Sequence, residues 1–77
     1  MNSFSFDLPV AALRPAEKIL SEIANAGSMI VAVKCGAKAN GFVIGLTCTG
    51  AITEEQSEAL LLQFDRATER KLRELSM

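Results

Sequence analysis

Residues 29–49 read MIVAVKCGAKANGFVIGLTCT, and the predicted fold depends on this stretch. Two runs rich in β-branched and apolar residues flank Asn40-Gly41, the preferred dipeptide of a two-residue β-hairpin turn. That turn sets a register in which Cys35 lies opposite Leu46 and Val33 lies opposite Cys48, on a face that is almost wholly apolar. The stretch therefore predicts a β-hairpin with one face in the core.

The residues after the hairpin predict a long amphipathic helix. Gly50 ends the hairpin, and residues 53–56, Thr-Glu-Glu-Gln, match a capping box, in which two side chains satisfy the first backbone amides of a helix. The helix carries one stripe at helical spacing that can cover the hairpin: Ser57, Leu60, Leu61, Phe64, Thr68, Leu72 and Leu75.

The residues before the hairpin predict a strand and a helix. Pro15 suits the first turn of a helix that runs to about Ala26 and ends at a left-handed Gly27. A kinked helix beginning at Asp7 is the alternative for the N-terminal segment, although Pro15 would interrupt it. The strand is predicted from apolar residues that alternate with polar ones or proline: Phe4, Phe6, Leu8 and Val10.

These elements form a single domain over residues 1–77 with the order β-α-β-β-α. We expect a small α+β fold in which a three-stranded sheet is covered on one face by two helices. A right-handed crossover would lay the first strand parallel to the second. The strand order of the sheet stays open.

Composition favours an assembly over a lone domain. A chain of 77 residues has little core, and such chains are usually stabilised by disulfides, a metal or oligomerisation. With two cysteines and no histidine, a closed zinc site is not expected, and no cofactor is predicted. Because 49% of the residues are hydrophobic, we expect part of that apolar surface to face another subunit. A homo-oligomer is predicted.

The net charge and the lengths of the apolar segments predict which partners the protein binds and where in the cell it lies. The net charge of −1 makes nucleic acid an unfavoured partner, although a local basic stripe can still act. No basic leader and no apolar run near 18 residues is evident, so neither a signal peptide nor a membrane span is expected. The chain is predicted to be cytoplasmic, with Cys35 and Cys48 reduced and buried.

No pattern indicates catalysis. Histidine, tyrosine and tryptophan are absent, so the usual neutral-pH base is missing. Both thiols are expected in the core, and no pair of carboxylates stands at a recognisable spacing. We predict no catalytic residue, and a protein that is not an enzyme.

Two glycines form the first candidate site. The hairpin register places Gly36 opposite Gly45 on the sheet face away from the helices, flanked by Val43 and Thr47. Glycine inside a strand serves a bend or bulge, or the close approach of a partner subunit or a ligand. All three interpretations stay open.

A basic stripe on the last helix forms the second candidate. It could grip phosphates, including those of nucleic acid, or a partner's carboxylates. Because Glu69 precedes Arg73 by four residues and Arg70 precedes Glu74 by four, ordinary ion pairs on a solvated face are favoured instead. The stripe consists of Arg66, Arg70, Lys71 and Arg73.

Leu62 is the third candidate because it points away from the apolar stripe of its helix and suits an interface. The leading hypothesis is a non-enzymatic, homo-oligomeric protein-interaction or regulatory domain of accessory or inhibitor type. The alternatives are nucleic-acid binding through the basic stripe and small-ligand binding at the glycine-lined sheet face.

Overall fold

The computed structural model describes residue 4 and residues 7–77, and the ordered elements in that part of the chain are all helices. Helix α1 spans Val10–Ala24, α2 spans Met29–Cys48 and α3 spans Glu54–Leu75. Each helix packs against the other two, which makes a three-helix bundle. The predicted α+β fold with a three-stranded sheet is wrong, because the described residues contain no strand.

A single helix, α2, replaces the predicted hairpin, and it has a capping interaction at each end. At its start the Ser28 side chain accepts a hydrogen bond from the Val31 amide at 3.2 Å, as an N-cap does. At its end Gly50 has a φ of 72°, and the Ala51 amide donates to the Leu46 carbonyl at 2.9 Å. That geometry is a Schellman motif, which terminates helices and not strands.

The buried positions of α2 explain why the helix prevails. Ala32, Ala39 and Val43 are fully buried, and their spacings of seven and four residues are helical. Asn40-Gly41 lies inside the helix on exposed positions. Val33, which the hairpin register placed in the core, is 56% exposed. The turn dipeptide is overridden because a helix forms its backbone hydrogen bonds within the segment while it packs against two neighbouring helices.

Helix α1 begins earlier than predicted. The amides of Ala12 and Leu13 donate to the Pro9 carbonyl at 2.9 and 3.0 Å, and Pro15 lies inside the helix on an exposed position. The alternative of a helix that starts before Pro15 is therefore closer to the structure than the strand. Residues 7–9 have no regular structure, and residues 5 and 6 of the predicted strand lie outside the described residues. The predicted left-handed Gly27 is wrong, since Gly50 alone among the described residues has a positive φ.

Helix α3 confirms the prediction for the C-terminal segment. The Thr53 hydroxyl accepts from the Gln56 amide at 3.1 Å, and the Gln56 side chain accepts from the Thr53 amide at 2.8 Å. The Gln56 side-chain amide also donates to the Asp7 carbonyl at 3.0 Å and so ties the first turn of α3 to the segment before α1. The apolar stripe faces the bundle, with Leu60 and Phe64 fully buried.

The core runs along the junction of the three helices. The Phe4 ring packs edge-on against Phe64, with ring centroids 6.2 Å apart. Both cysteines are free thiols, but Cys35 is only half-buried and Cys48 is exposed, so the prediction that both are buried is wrong. The central cluster consists of Phe4, Ala16, Ile19, Ile23, Ala39, Val43, Ile52, Leu60 and Phe64.

Candidate interaction surfaces

The predicted glycine patch does not form. Gly36 and Gly45 are nine residues apart on one helix, which is two and a half turns, so they lie on opposite sides of α2. Gly36 faces Thr68 of α3, whereas no atom of another element lies within 4 Å of a Cβ built on Gly45. The glycine-lined sheet face on which small-ligand binding was predicted is therefore absent.

The two residues predicted to flank that patch belong to the bundle. Val43 is fully buried in the core. The Thr47 hydroxyl donates to the Val43 carbonyl at 2.8 Å, and its oxygen lies 3.1 Å from the Ser57 hydroxyl of α3. Val43 and Thr47 therefore hold α2 against α3 and do not form an outer surface.

The side of α2 turned away from the bundle is apolar. Ile30, Val33 and Ile44 are 70%, 56% and 60% exposed, and Ala37 and Gly41 between them are also exposed. Spacings of three and four residues align these five along one stripe of the helix. We call Ile30, Val33, Ala37, Gly41 and Ile44 the α2 outer face.

Positive charge borders the α2 outer face, and α2 itself contains no acidic residue. Lys34 is exposed at its edge. Lys38, farther round the helix, forms an ion pair with Glu22 of α1 at 3.0 Å. The small residues Ala37 and Gly41 occupy the middle of the stripe, where another backbone can approach closely.

Leu62 lies on the outer side of α3, away from the core, and is 50% exposed. Its neighbours along that side are exposed charged residues, among them Asp65, Arg66 and Glu69. A single leucine among charges offers a much smaller apolar area than the α2 outer face.

The structure divides the predicted basic stripe. Arg66, Arg70 and Lys71 line a groove between α1 and α3, whereas Arg73 is exposed in the last turn and does not line it. The groove has a cavity volume of about 440 Å³. We call it the α1–α3 groove; its lining residues are Leu20, Ala24, Gln63, Arg66, Ala67, Arg70, Lys71 and Glu74.

The ion pairs of this helix differ from those predicted. Glu74 pairs with Lys71, three residues before it, at 3.6 Å. Within the part of the chain that the structure describes, neither Glu69 with Arg73 nor Arg70 with Glu74 forms an ion pair. The prediction of two i, i+4 pairs that neutralise the arginines is therefore wrong.

Helix α2 is long and apolar enough to cross a membrane when length and composition alone are considered. The expectation that no segment approaches the length of a span therefore needs correction. Of its 20 residues Ala32, Ala39 and Val43 are buried, and Cys35, Phe42 and Leu46 are partly buried against the core.

No protein-family model, no curated protein and no solved structure matches this chain. The surfaces themselves are therefore the basis for a functional proposal.

Sequence reasoning missed the α2 outer face because residues 29–49 were interpreted with a period of two. The signal was present: Ile30, Val33, Ala37, Gly41 and Ile44 recur every three or four residues. Ser28 before the segment and Gly50 after it were further signs of helix ends.

Proposed function

We propose that this protein is a non-enzymatic interaction protein that assembles with a second copy of itself through the α2 outer face. The observation that carries the proposal is the exposure of Ile30, Val33 and Ile44, each more than half exposed on one stripe of one helix. Leaving such a continuous apolar stripe in water is unfavourable, and larger apolar patches on small proteins mark interaction sites.

The spacing of the stripe fits an antiparallel pair of α2 helices. Ile30 and Ile44 each lie seven residues from Ala37, and Val33 and Gly41 each lie four residues from it. In a two-fold pair centred on Ala37, Ile30 is level with Ile44 of the second copy. Val33 is level with Gly41 of the second copy. The side chain of Val33 thereby meets a position without one, which permits close helix packing.

The size of the face is compatible with a specific dimer. Its ends, Ile30 and Ile44, are separated by about 21 Å along the helix. Two copies that cover this face and its edges bury on the order of 1,000 Å² in total, which is near the lower end for specific interfaces. The interface would be a weak to moderate one, sensitive to a single charge at its centre.

A second copy suits this face better than the interior of a lipid bilayer. Lys34 and Lys38 lie within α2, and each charge costs about 3 kcal/mol near the centre of a membrane-spanning helix. At the edge of a protein interface the same lysines keep their head groups in water. The helices that pack on α2 are also amphipathic, and α3 carries many charged residues on its outer side.

Sedimentation equilibrium across a concentration series tests the proposal. We expect the wild-type protein to reach twice the monomer mass, and Val33→Glu to remain monomeric with unchanged helical circular dichroism. Glutamate is a good helix former, and Val33 is exposed, so the monomer fold should tolerate it.

The matched control is Leu62→Glu, because Leu62 is 50% exposed on another helix and takes the same new charge. It should leave the dimer intact. A wild-type protein that stays monomeric at high concentration, or a dimer lost in Leu62→Glu and kept in Val33→Glu, would show that the α2 outer face is not the self-association site.

A further inference from the structure

The α1–α3 groove contains two arginines that form no ion pair within the described part of the chain. Arg66 and Arg70 are one helical turn apart, about 6 Å along the axis, and both line the groove. In the described residues neither has a carboxylate within ion-pair distance, whereas Lys71 is held by Glu74 at 3.6 Å. The groove therefore carries unneutralised positive charge in a chain whose net charge is −1.

The α1 wall of the groove is apolar, whereas Gln63, Lys71 and Glu74 contribute further polar groups on the α3 side. Leu20 and Ala24, one turn apart on α1, form the opposite wall, and Ala67 of α3 lies between the two helices. Leu20 and Ala67 are half-buried, so both present part of their side chains to the groove. A cavity of about 440 Å³ lies in the range that holds small molecules.

We propose that the α1–α3 groove binds a small amphiphilic anion, with a carboxylate or phosphate-ester head group and a short apolar body. The head group binds the guanidinium groups of Arg66 and Arg70, which can each donate two hydrogen bonds to such an oxyanion. The apolar body lies against Leu20 and Ala24. This proposal does not depend on self-association, because the groove and the α2 outer face share no residue.

The groove suits such a ligand better than it suits nucleic acid. A nucleic-acid duplex is bound through many phosphate contacts spread along an extended basic surface. Here the free cations lie between two helices, Arg73 does not line the groove, and exposed Asp65 and Glu69 lie on the adjoining surface of α3. Those carboxylates would repel an extended polyanion but lie outside the groove itself.

Titration followed by backbone-amide NMR shifts tests the proposal with four probes. Octanoate and octyl phosphate carry the anionic head and the apolar body, whereas acetate has only the head group and 1-octanol only the body. We expect octanoate or octyl phosphate, or both, to shift the amides of Leu20, Ala24 and Ala67 in a saturable manner. The comparison of these two ligands identifies the preferred head group. Acetate and 1-octanol should cause much smaller shifts.

Two variants separate the groove from a general charge effect. Arg66→Gln/Arg70→Gln should weaken binding roughly ten-fold or more, because charge-assisted hydrogen bonds are lost. Arg73→Gln removes a charge from the same helix outside the groove and should bind as the wild type does. Absence of saturable shifts with both anionic ligands, equal binding by the double variant, or shifts that map to the α2 outer face would each overturn the proposal.

Discussion

Gly36 of α2 packs directly against Thr68 of α3. A Cβ built on Gly36 would lie 3.2 Å from both the Cγ2 and the Oγ1 of Thr68, closer than ordinary contacts. The Thr68 hydroxyl donates to the Phe64 carbonyl at 2.9 Å, which holds the side chain in place. Gly36 therefore permits the close approach of α2 and α3. This helix packing, and not the predicted sheet, is what the glycine serves.

We expect Gly36→Val to lower the free energy of unfolding by about 1–3 kcal/mol, since extra atoms must be accommodated against Thr68 in a packed interface. Gly45→Val is the matched control on the same helix, where no neighbour lies within 4 Å of the added Cβ. It should be neutral or slightly stabilising, because valine has a somewhat higher helix propensity than glycine. Urea denaturation measures both variants. Equal effects of the two substitutions would contradict the α2–α3 packing.

Asn40→Ala distinguishes the helix from the hairpin. Asn40 is exposed in the interior of α2, so alanine should raise the free energy of unfolding by roughly 0.5 kcal/mol through its higher helix propensity. In a two-residue hairpin turn the same change would remove a residue that tolerates positive φ and would destabilise the protein. Thermal denaturation followed by circular dichroism shows whether the substitution raises or lowers stability. A clear loss of stability would argue against the helix.

Thr53→Ala should lower the free energy of unfolding by about 1 kcal/mol, because it removes the side chain that accepts from the Gln56 amide at the start of α3. Thr53→Ser keeps the hydroxyl and should retain most of the wild-type stability. Denaturant titrations of the two variants provide the measurement. If alanine and serine were equivalent here, the capping box would contribute nothing to stability.

Phe64→Ala should cost about 3–5 kcal/mol, the usual loss for a fully buried aromatic residue. Phe64→Leu fills more of the cavity and should cost less. Because a chain of this size has a small margin of stability, the alanine variant is expected to be largely unfolded by circular dichroism at room temperature. A well-folded Phe64→Ala protein would show that the core does not centre on this ring.

Self-association bears on how these stability measurements are made. A dimer that forms only from folded monomers raises the apparent stability as the protein concentration increases. The stability measurements of the four preceding predictions should therefore be made at one fixed, low protein concentration. Alternatively, they can be made in the Val33→Glu variant, which is expected to be monomeric.

The two proposed surfaces differ in how far the sequence could predict them. Arg66, Arg70 and Lys71 were recognised as a basic stripe from their spacing alone, but their separation from Arg73 depends on where α1 lies beside α3. The α2 outer face was missed because the hairpin register places Val33, Ala37 and Ile44 on the face predicted to be in the core. Leu62 could be predicted to lie outside the core because the sequence shows clearly which residues form the apolar stripe of α3, and Leu62 is not among them.

The sequence by itself determined α3, including its capping box at Thr53 and Gln56 and its apolar stripe through Leu60 and Phe64. Those features depend on residues three or four apart, so they are local and readable. Only the tertiary structure decided the state of residues 29–49, because their apolar residues satisfy both the strand period and the helix period. The helix forms there because α1 and α3 offer two apolar faces for its small buried residues, and no neighbouring strand is present in the described residues to complete a sheet.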